Sequence, residues 1–392
     1  MTERAYFDWN ATAPLREGAR AAMVAALELT GNASSVHAEG RAARRLVEEA
    51  REKVASLVGA EARNVTFTSG ATEANMLALT PSISTAGEIA RRDRLFVSAI
   101  EHPSVRSGGR FPAELVEELP VTGDGLVDLH ALRKAITGAT RPLVSVMLAN
   151  NETGVIEPIR EIADIVHTAN GVLHVDAVQG PGRIDCRIGD LGADLMSVSA
   201  HKLGGPQGAG ALIRRGDIHI GEPLIKGGGQ ERGLRAGTEN VAAIAGFGAV
   251  AAAIAAHQAD AAHMAGLRDR LEADLKAALP DAVIFGENAP RLPNTTLFAV
   301  PGMKAETAII AFDLNGIAVS SGSACSSGKV QASRVLAAMG MEPSLAQGAV
   351  RLSLGWSTNE RDIEKLLAAL TKVSSSLLKS HENSRLNSGL AA

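Results

Sequence analysis

The sequence predicts an α/β protein whose main sheet is mostly parallel. Strand-like and helical segments alternate from residue 41 to residue 213, and this alternation is typical of parallel sheets with crossover helices. Several of the strand-like segments are continuous apolar runs, which suits strands that helices cover on both faces.

The individual elements follow from local patterns of apolar and turn residues. The predicted strands, in chain order, are 64–68, 94–100, 142–148, 171–175, 194–198, 209–213, 283–285, 295–300, 318–320 and 350–354. The predicted helices are 41–58, which has apolar residues every three to four positions, then 128–136, 158–169, an Ala-rich stretch at 238–279, and a last helix. That last helix starts at the capping-box pattern Ser357-Thr358-Asn359-Glu360 and is expected to end near Val373.

The length and these elements predict two domains. We expect a large domain at 16–258 and a smaller α/β domain formed by 1–15 and 259–375. The chain is polar from Ser374 onward, so we expect a flexible tail at 376–392.

Composition excludes several classes of protein. The net charge is −4 and aromatic residues make up 3%, which argues against nucleic-acid binding by bulk charge or base stacking. The longest apolar run, 241–256, is too short to span a bilayer. With two cysteines and no apolar signal segment at the start, we expect a cytoplasmic protein without disulfides.

Polar residues follow several strands at the edge where open α/β sheets bind ligands. The turn 69–72 opens a helix, so it either suits a phosphate or only caps the helix. His102 either faces a ligand or caps a helix, and Asp176 is costly to bury without a cationic partner. Lys202 ends an apolar strand, where lost hydration favours the neutral amine that forms Schiff bases. The alternative for Lys202 is a surface lysine.

In combination these residues indicate pyridoxal phosphate. The cofactor requires a phosphate site, an aspartate that keeps the pyridine nitrogen protonated, and a lysine that carries the aldehyde. The chain offers all three in the order 69–72, Asp176 and Lys202, and His102 could cover the ring.

Cys325 and Arg351 are two further candidates. Cys325 lies in a small, polar segment with glycines, which is typical of an exposed, reactive cysteine, although an incidental cysteine would fit too. Cys186, in Ile184-Asp185-Cys186-Arg187-Ile188, is interpreted as structural. Arg351 lies inside an apolar strand and needs an anionic partner, either a substrate carboxylate or a structural salt bridge.

At this point the chain resembles the cysteine desulfurases of the NifS/IscS type, within the class-V aminotransferase family of fold-type-I pyridoxal-phosphate enzymes. The similarity extends from Phe7-Asp8-Trp9-Asn10-Ala11-Thr12-Ala13-Pro14 to the last helix. The other matching motifs are Thr68-Ser69-Gly70-Ala71-Thr72-Glu73, Asn150-Asn151-Glu152-Thr153-Gly154, His174-Val175-Asp176-Ala177-Val178-Gln179, Ser199-Ala200-His201-Lys202, Gly227-Gly228-Gly229-Gln230-Glu231-Arg232, Arg235-Ala236-Gly237-Thr238-Glu239-Asn240 and Ser320-Ser321-Gly322-Ser323-Ala324-Cys325.

The resemblance implies a role for each candidate. Lys202 would carry the cofactor, Asp176 would pair with the pyridine nitrogen and Gln179 would bond the ring hydroxyl. His102 would stack on the ring and help to move protons. The residues implied at the phosphate are Ala71, Thr72, Ser199 and His201, with Thr238 from the neighbouring subunit of a homodimer. Asn151 and Arg351 would orient the substrate carboxylate.

The implied reaction converts L-cysteine to L-alanine and leaves the sulfur on Cys325 as a persulfide. The implied partners are an iron–sulfur scaffold protein or another sulfur acceptor, and neither nucleic acid nor membrane. No resident metal is expected, although Cys325 could serve as a transient iron–sulfur ligand shared with a scaffold. The alternatives are a selenocysteine lyase or another class-V enzyme, and a scaffold without catalytic activity.

Overall fold

The computed structural model describes residues 4–85, 91–256, 259–322 and 333–389. Its strands are β1 (Ala5–Tyr6), β2 (Val65–Thr68), β3 (Ile83–Thr85), β4 (Arg94–Ser98), β5 (Val116–Leu119), β6 (Pro142–Met147), β7 (Val172–Asp176), β8 (Leu195–Ser199), β9 (Gly210–Arg214), β10 (Ile218–Ile220), β11 (Val283–Ile284), β12 (Thr295–Ala299), β13 (Ile317–Ala318), β14 (Ser320–Ser321) and β15 (Val350–Ser353). Its helices are α1 (Glu17–Leu27), α2 (Ala38–Leu57), α3 (Ala71–Ala78), α4 (Pro103–Arg106), α5 (Leu129–Ile136), α6 (Ile159–Thr168), α7 (Ile188–Leu191), α8 (Val241–Ala256), α9 (Ala259–Ala278), α10 (Ala305–Leu314), α11 (Arg334–Ala338), α12 (Pro343–Ala346) and α13 (Glu360–Gly389).

The largest sheet has seven strands in the order β2-β9-β8-β7-β6-β4-β5. Strands β8, β7, β6, β4 and β5 are parallel to one another, and β9 runs antiparallel to both β2 and β8. The prediction of a mostly parallel sheet is therefore confirmed. Because parallel strands end at the same edge, the residues that follow β4, β6, β7 and β8 lie close together.

Apolar side chains on both faces of this sheet are buried, as the continuous apolar runs predict. One face contributes Val144, Val146, Leu173 and Val175 to a core shared with α2, α6 and α8. The other face contributes Leu143, Val172 and Leu195 to a core shared with α3. The sheet is thus a middle layer between helices.

A second, antiparallel sheet has the strand order β11-β12-β15-β14. Its core combines Ala5 and Phe7, near the start of the described chain, with apolar residues between Leu267 and Val373. Strand β1 joins this region by pairing with β13. We therefore propose the two-domain division expected from the sequence, in which the N-terminal segment belongs to the smaller domain.

Several elements differ from the sequence prediction, and three of the differences have a clear cause. Strand β5 was not predicted, because Glu117 and Glu118 at this exposed edge interrupt its apolar pattern. The strand expected at 318–320 is two short strands, β13 and β14, which belong to different sheets. The last helix, expected to end near Val373, continues to Gly389, because 374–388 contains neither proline nor glycine to end it.

No single helix in the described part of the chain is long and apolar enough to cross a membrane.

Packing around Trp9 holds the N-terminal segment against the turn that follows β15. The Trp9 ring meets Trp356 edge to face, with ring centroids 4.6 Å apart. Gly355 leaves room for Trp9, since a Cβ atom there would lie 2.1 Å from the Trp9 ring. A larger residue at 355 would therefore push Trp9 and its neighbour Asn10 out of place.

We predict that Gly355→Ala lowers the free energy of unfolding by about 1–3 kcal/mol, because the added methyl group overpacks this contact. Gly266→Ala is the matched control. Gly266 lies on an exposed position of α9, and a Cβ atom there would have no other atom within 4 Å, so alanine should stabilise the protein by about 0.5–1 kcal/mol. Urea denaturation of both variants measures the difference, and equal effects would contradict the packing argument.

Candidate active site

One cavity of about 430 Å³ lies at the edge where the parallel strands end. Ten of the residues predicted from the sequence line it: Ala71, Thr72, His102, Asn151, Asp176, Gln179, Ser199, His201, Lys202 and Arg351. Its size is within the range of small-molecule and cofactor sites.

Asp176 is the last residue of β7 and is 6% exposed. Its Oδ1 accepts a hydrogen bond from the Val178 backbone N–H at 3.1 Å, and its Oδ2 accepts one from Asn75 Nδ2 at 2.8 Å. These two hydrogen bonds fix the orientation of the carboxyl group at the cavity.

Lys202 follows β8 in a short 3₁₀ turn at Ala200–Lys202. Its Nζ donates to the main-chain carbonyls of Asn10 at 2.6 Å and Ala11 at 2.8 Å. Two main-chain carbonyls of the N-terminal segment therefore hold the amine in the cavity. Lys202 is thus not a surface lysine, which was the alternative.

His102 follows β4 and caps α4 while it also lines the cavity, so both of its alternative interpretations apply. Its Nδ1 accepts from the Ser104 backbone N–H at 3.2 Å, which places the ring proton of the neutral form on Nε2. Burial lowers the pKa of His102, the Asp176 charge opposes this, and the Lys202 charge lowers the pKa further. The neutral ring is able to accept a proton.

The start of α3 forms one end of the cavity, where the backbone N–H groups of a first helical turn lack partners within the helix. Gly210 allows the close approach of β9, because a Cβ atom there would lie 2.5 Å from Gly70. His201 lies beside this end with Nδ1 3.2 Å from Thr12 Oγ1, and burial and the Lys202 charge lower its pKa to about 4. Free N–H groups at a helix start suit a phosphate.

Arg351 is 2% exposed and forms an ion pair with Asp8, with Nη2 2.8 Å from Oδ1. Its Nη1 donates to the Asn151 carbonyl at 2.9 Å, and its buried Nε has no partner among the described residues. The structural salt bridge that the sequence left open is therefore present. The guanidinium also lines the cavity, so it remains a candidate for a substrate carboxylate.

One predicted residue lies away from this cavity, and another is not among the described residues. Thr238 is exposed and lines a separate cavity of about 180 Å³ beside Thr68 and Ser69. Cys325 lies outside the described residues. Cys186 is 3% exposed, and burial raises the pKa of its thiol to about 12, which agrees with a structural role.

Sequence reasoning gave no role to Asn10, Asn75 or Gln207, although Asn10 and Gln207 line the cavity and Asn75 bonds Asp176. A usable signal existed for Asn75, the one amide on a face of α3 that otherwise buries Ala74, Leu77 and Ala78. No group of three His, Cys, Asp or Glu side chains within the described ranges is arranged to hold a metal ion.

A mostly parallel sheet with a lysine, an aspartate and a helix start at one cavity defines the class of fold-type-I pyridoxal-phosphate enzymes. The chain belongs to the class-V aminotransferase family, which it matches over residues 5–366. This family depends on pyridoxal phosphate.

Known relatives cover almost the whole chain. It is 40% identical over 383 residues to cysteine desulfurase IscS of Dictyoglomus turgidum, with 95% of each chain covered. It is 40% identical to a cysteine desulfurase of Cereibacter sphaeroides, with 95% of this chain and 96% of that one covered. Among solved structures, a NifS-like protein from Rickettsia africae has a TM-score of 0.85 at 35% identity, covering 95% of this chain and all of that one.

We predict that Asn75→Ala lowers the free energy of unfolding by about 1–3 kcal/mol at pH 7, because Asp176 Oδ2 loses its donor while it stays buried. Asn315→Ala is the control, since it removes an exposed asparagine and should cost less than about 0.5 kcal/mol. Chemical denaturation monitored by circular dichroism compares the two. Equal losses would show that the bond to Asp176 contributes nothing specific.

Proposed function

We propose that this protein is a cysteine desulfurase, which converts L-cysteine to L-alanine and passes the sulfur to acceptors for iron–sulfur or other sulfur-cofactor assembly. The observation that carries the proposal is the cavity that joins Lys202, Asp176 and the start of α3. It occurs in a chain that is 40% identical to curated cysteine desulfurases over 95% of its length.

The residues of the cavity fit pyridoxal phosphate. Lys202 would supply an amine for its aldehyde, Asp176 would pair with its ring nitrogen, and the first turn of α3 would supply N–H donors for its phosphate. Gly70 and Gly208 leave open space there, because no atom lies within 4 Å of a Cβ built on either residue. When bound, the cofactor supplies an aldehyde that takes up the substrate amine and a ring that accepts electrons.

The chain's own groups then have distinct tasks. Asp176, which two hydrogen bonds hold in place, would keep a ring nitrogen protonated. Lys202 accepts and returns a proton once its amine is free, and neutral His102 lies in the same cavity to take part in proton movement. Ala71, Thr72, Ser199 and His201 enclose the phosphate end.

Substrate orientation falls to Arg351 and Asn151. The ion pair with Asp8 occupies Arg351 Nη2, and the bond to Asn151 occupies one hydrogen of Nη1. The remaining guanidinium N–H groups of Arg351 and the side-chain amide of Asn151, two residues that line the cavity, would supply the donors for the α-carboxylate. This fixes the amino acid at both ends, with its carboxylate at Arg351 and its amine near Lys202.

Sulfur transfer requires Cys325. Its thiolate attacks the substrate sulfur, the carbon–sulfur bond breaks and a sulfur–sulfur bond forms. L-cysteine and the thiol thus become L-alanine and a persulfide without any external oxidant. The outer sulfur of the persulfide then passes to a scaffold protein or another acceptor. Cys325 could also serve as an iron–sulfur ligand that it shares with a scaffold.

We further propose a cytoplasmic homodimer in which Thr238 reaches the phosphate of the neighbouring subunit. The exposure of Thr238, away from its own main cavity, supports this. Apolar side chains that face solvent, Val24 and Leu27 on α1 and Leu224 and Ile225 before α8, support a contact with a second subunit.

Lys202 is expected to be the lysine that carries the cofactor. Borohydride reduction followed by peptide mapping should place the pyridoxyl group on Lys202, and Lys202→Ala should bind the cofactor without a covalent link and show no detectable turnover. Lys226→Ala, which removes an exposed lysine, is the control and should behave like the parent. A pyridoxyl group on any other lysine would overturn the assignment.

Cys325→Ala is expected to fold, to bind the cofactor and to release little or no alanine, because no group accepts the sulfur. In the parent, cysteine without reductant should leave one extra sulfur atom on the peptide with Cys325. Cys186→Ala is the matched control, since its buried thiol should not react and alanine release should persist.

Alanine release by Cys325→Ala at the parent rate would contradict the persulfide mechanism. That result would favour the alternative of a lyase that expels sulfur directly. A parent protein that binds no pyridoxal phosphate would instead favour a scaffold without catalytic activity.

A further inference from the structure

Gln179 has both ends of its side-chain amide held by neighbours. The residue is 4% exposed and lines the main cavity. Its Nε2 donates to the main-chain carbonyl of Asn10 at 3.1 Å, and its Oε1 accepts a hydrogen bond from Arg183 Nη1.

These two neighbours permit one orientation of the amide. A carbonyl oxygen only accepts hydrogen bonds and a guanidinium only donates them, so turning the amide over would break both contacts. Asn10 uses one hydrogen of Nε2, and the second N–H remains for a group in the cavity. The amide therefore offers a donor, never an acceptor, to whatever binds there.

Arg183 is an unusual residue to find behind this amide. It is 8% exposed and forms no ion pair with any residue that the structure describes. Its Nη1 also donates to the main-chain carbonyl of Gln179 at 3.2 Å. Burial and repulsion from the Arg351 charge lower the pKa of Arg183 to about 9.

A buried cation without a carboxylate partner is costly to fold. An apolar residue of similar length would fill the same space without this cost. The hydrogen bonds that an apolar residue could not make at this position are the two from Arg183 to Gln179. The reason for an arginine here is therefore its contact with Gln179, which lines the cavity.

We propose that Arg183 is a positioning residue, which fixes the amide of Gln179 so that its N–H meets the ring hydroxyl of the cofactor. The proposal rests on the proposed function, because it takes the cavity to hold pyridoxal phosphate with Gln179 at that hydroxyl. A cationic donor on Oε1 polarises the amide and makes its N–H a stronger donor. Arg183 thus favours the ionised form of the ring hydroxyl without touching it.

The test compares Arg183→Met with the parent by two readouts that do not depend on turnover. The first is the dissociation constant for pyridoxal phosphate, titrated by absorbance into cofactor-free protein. The second is the pH at which the long-wavelength absorption band of the bound cofactor changes. We expect the affinity to fall about threefold to tenfold and the pH midpoint to rise, because an ionised hydroxyl loses support.

A double-mutant cycle separates positioning from a general structural effect. In the Gln179→Ala background, Arg183→Met should change neither readout, because Arg183 acts through an amide that is no longer there. Arg187→Met is the matched control, since Arg187 lies on the same segment with an exposed side chain.

If Arg183→Met does not fold, Arg183→Gln carries the same test. A glutamine can both donate and accept, so it no longer dictates the orientation of Gln179, and the same loss is expected. Parent-like affinity and pH midpoint in the folded variant, or equal effects with and without the Gln179 amide, would overturn the proposal. A parent that binds no pyridoxal phosphate would overturn the proposed function itself.

Discussion

The parallel direction of β4, β6, β7 and β8 is the constraint on which the site depends. Parallel strands need helical crossovers, and they deliver the end of every strand to one edge of the sheet. Asp176 ends β7, and His102, Asn151 and Lys202 follow β4, β6 and β8, so these side chains share a cavity. Asn10, Ala11 and Thr12 of the N-terminal segment line the same cavity.

The interior of the fold could be predicted because burial simplifies its pattern. Strands β6, β7 and β8 are buried at every position, so each appears in the sequence as an apolar run bounded by turn residues. Strand β5 lies at the sheet edge, where its two central residues, Glu117 and Glu118, are exposed and interrupt the apolar pattern. The division of 318–320 between β13 and β14 depends on two separate pairing partners, which no local pattern contains.

The contrast between local patterns and long-range contacts also separates the predicted from the unpredicted parts of the site. Residues that follow strands were found, since sheet topology alone brings them together. The partners that hold them were missed: Asn75 at Asp176, Asn10 at Lys202, and Arg183 at Gln179. Lys202 and Asn10 are 192 positions apart, and a contact of that kind depends on how the two cores pack. The sequence left two alternatives for Arg351, a substrate carboxylate or a structural salt bridge. A buried arginine predicts an anionic partner but does not identify it.

The carbonyls of Asn10 and Ala11 bias the resting place of the Lys202 amine. When that amine is engaged elsewhere, the carbonyl of Ala11 loses the donor it has here, while Asn10 keeps Gln179. A half-buried acceptor without a donor costs on the order of 1 kcal/mol, so the chain itself favours the return of the lysine. The N-terminal segment thus weakly favours the return of the Lys202 amine to the position that it has in this structure.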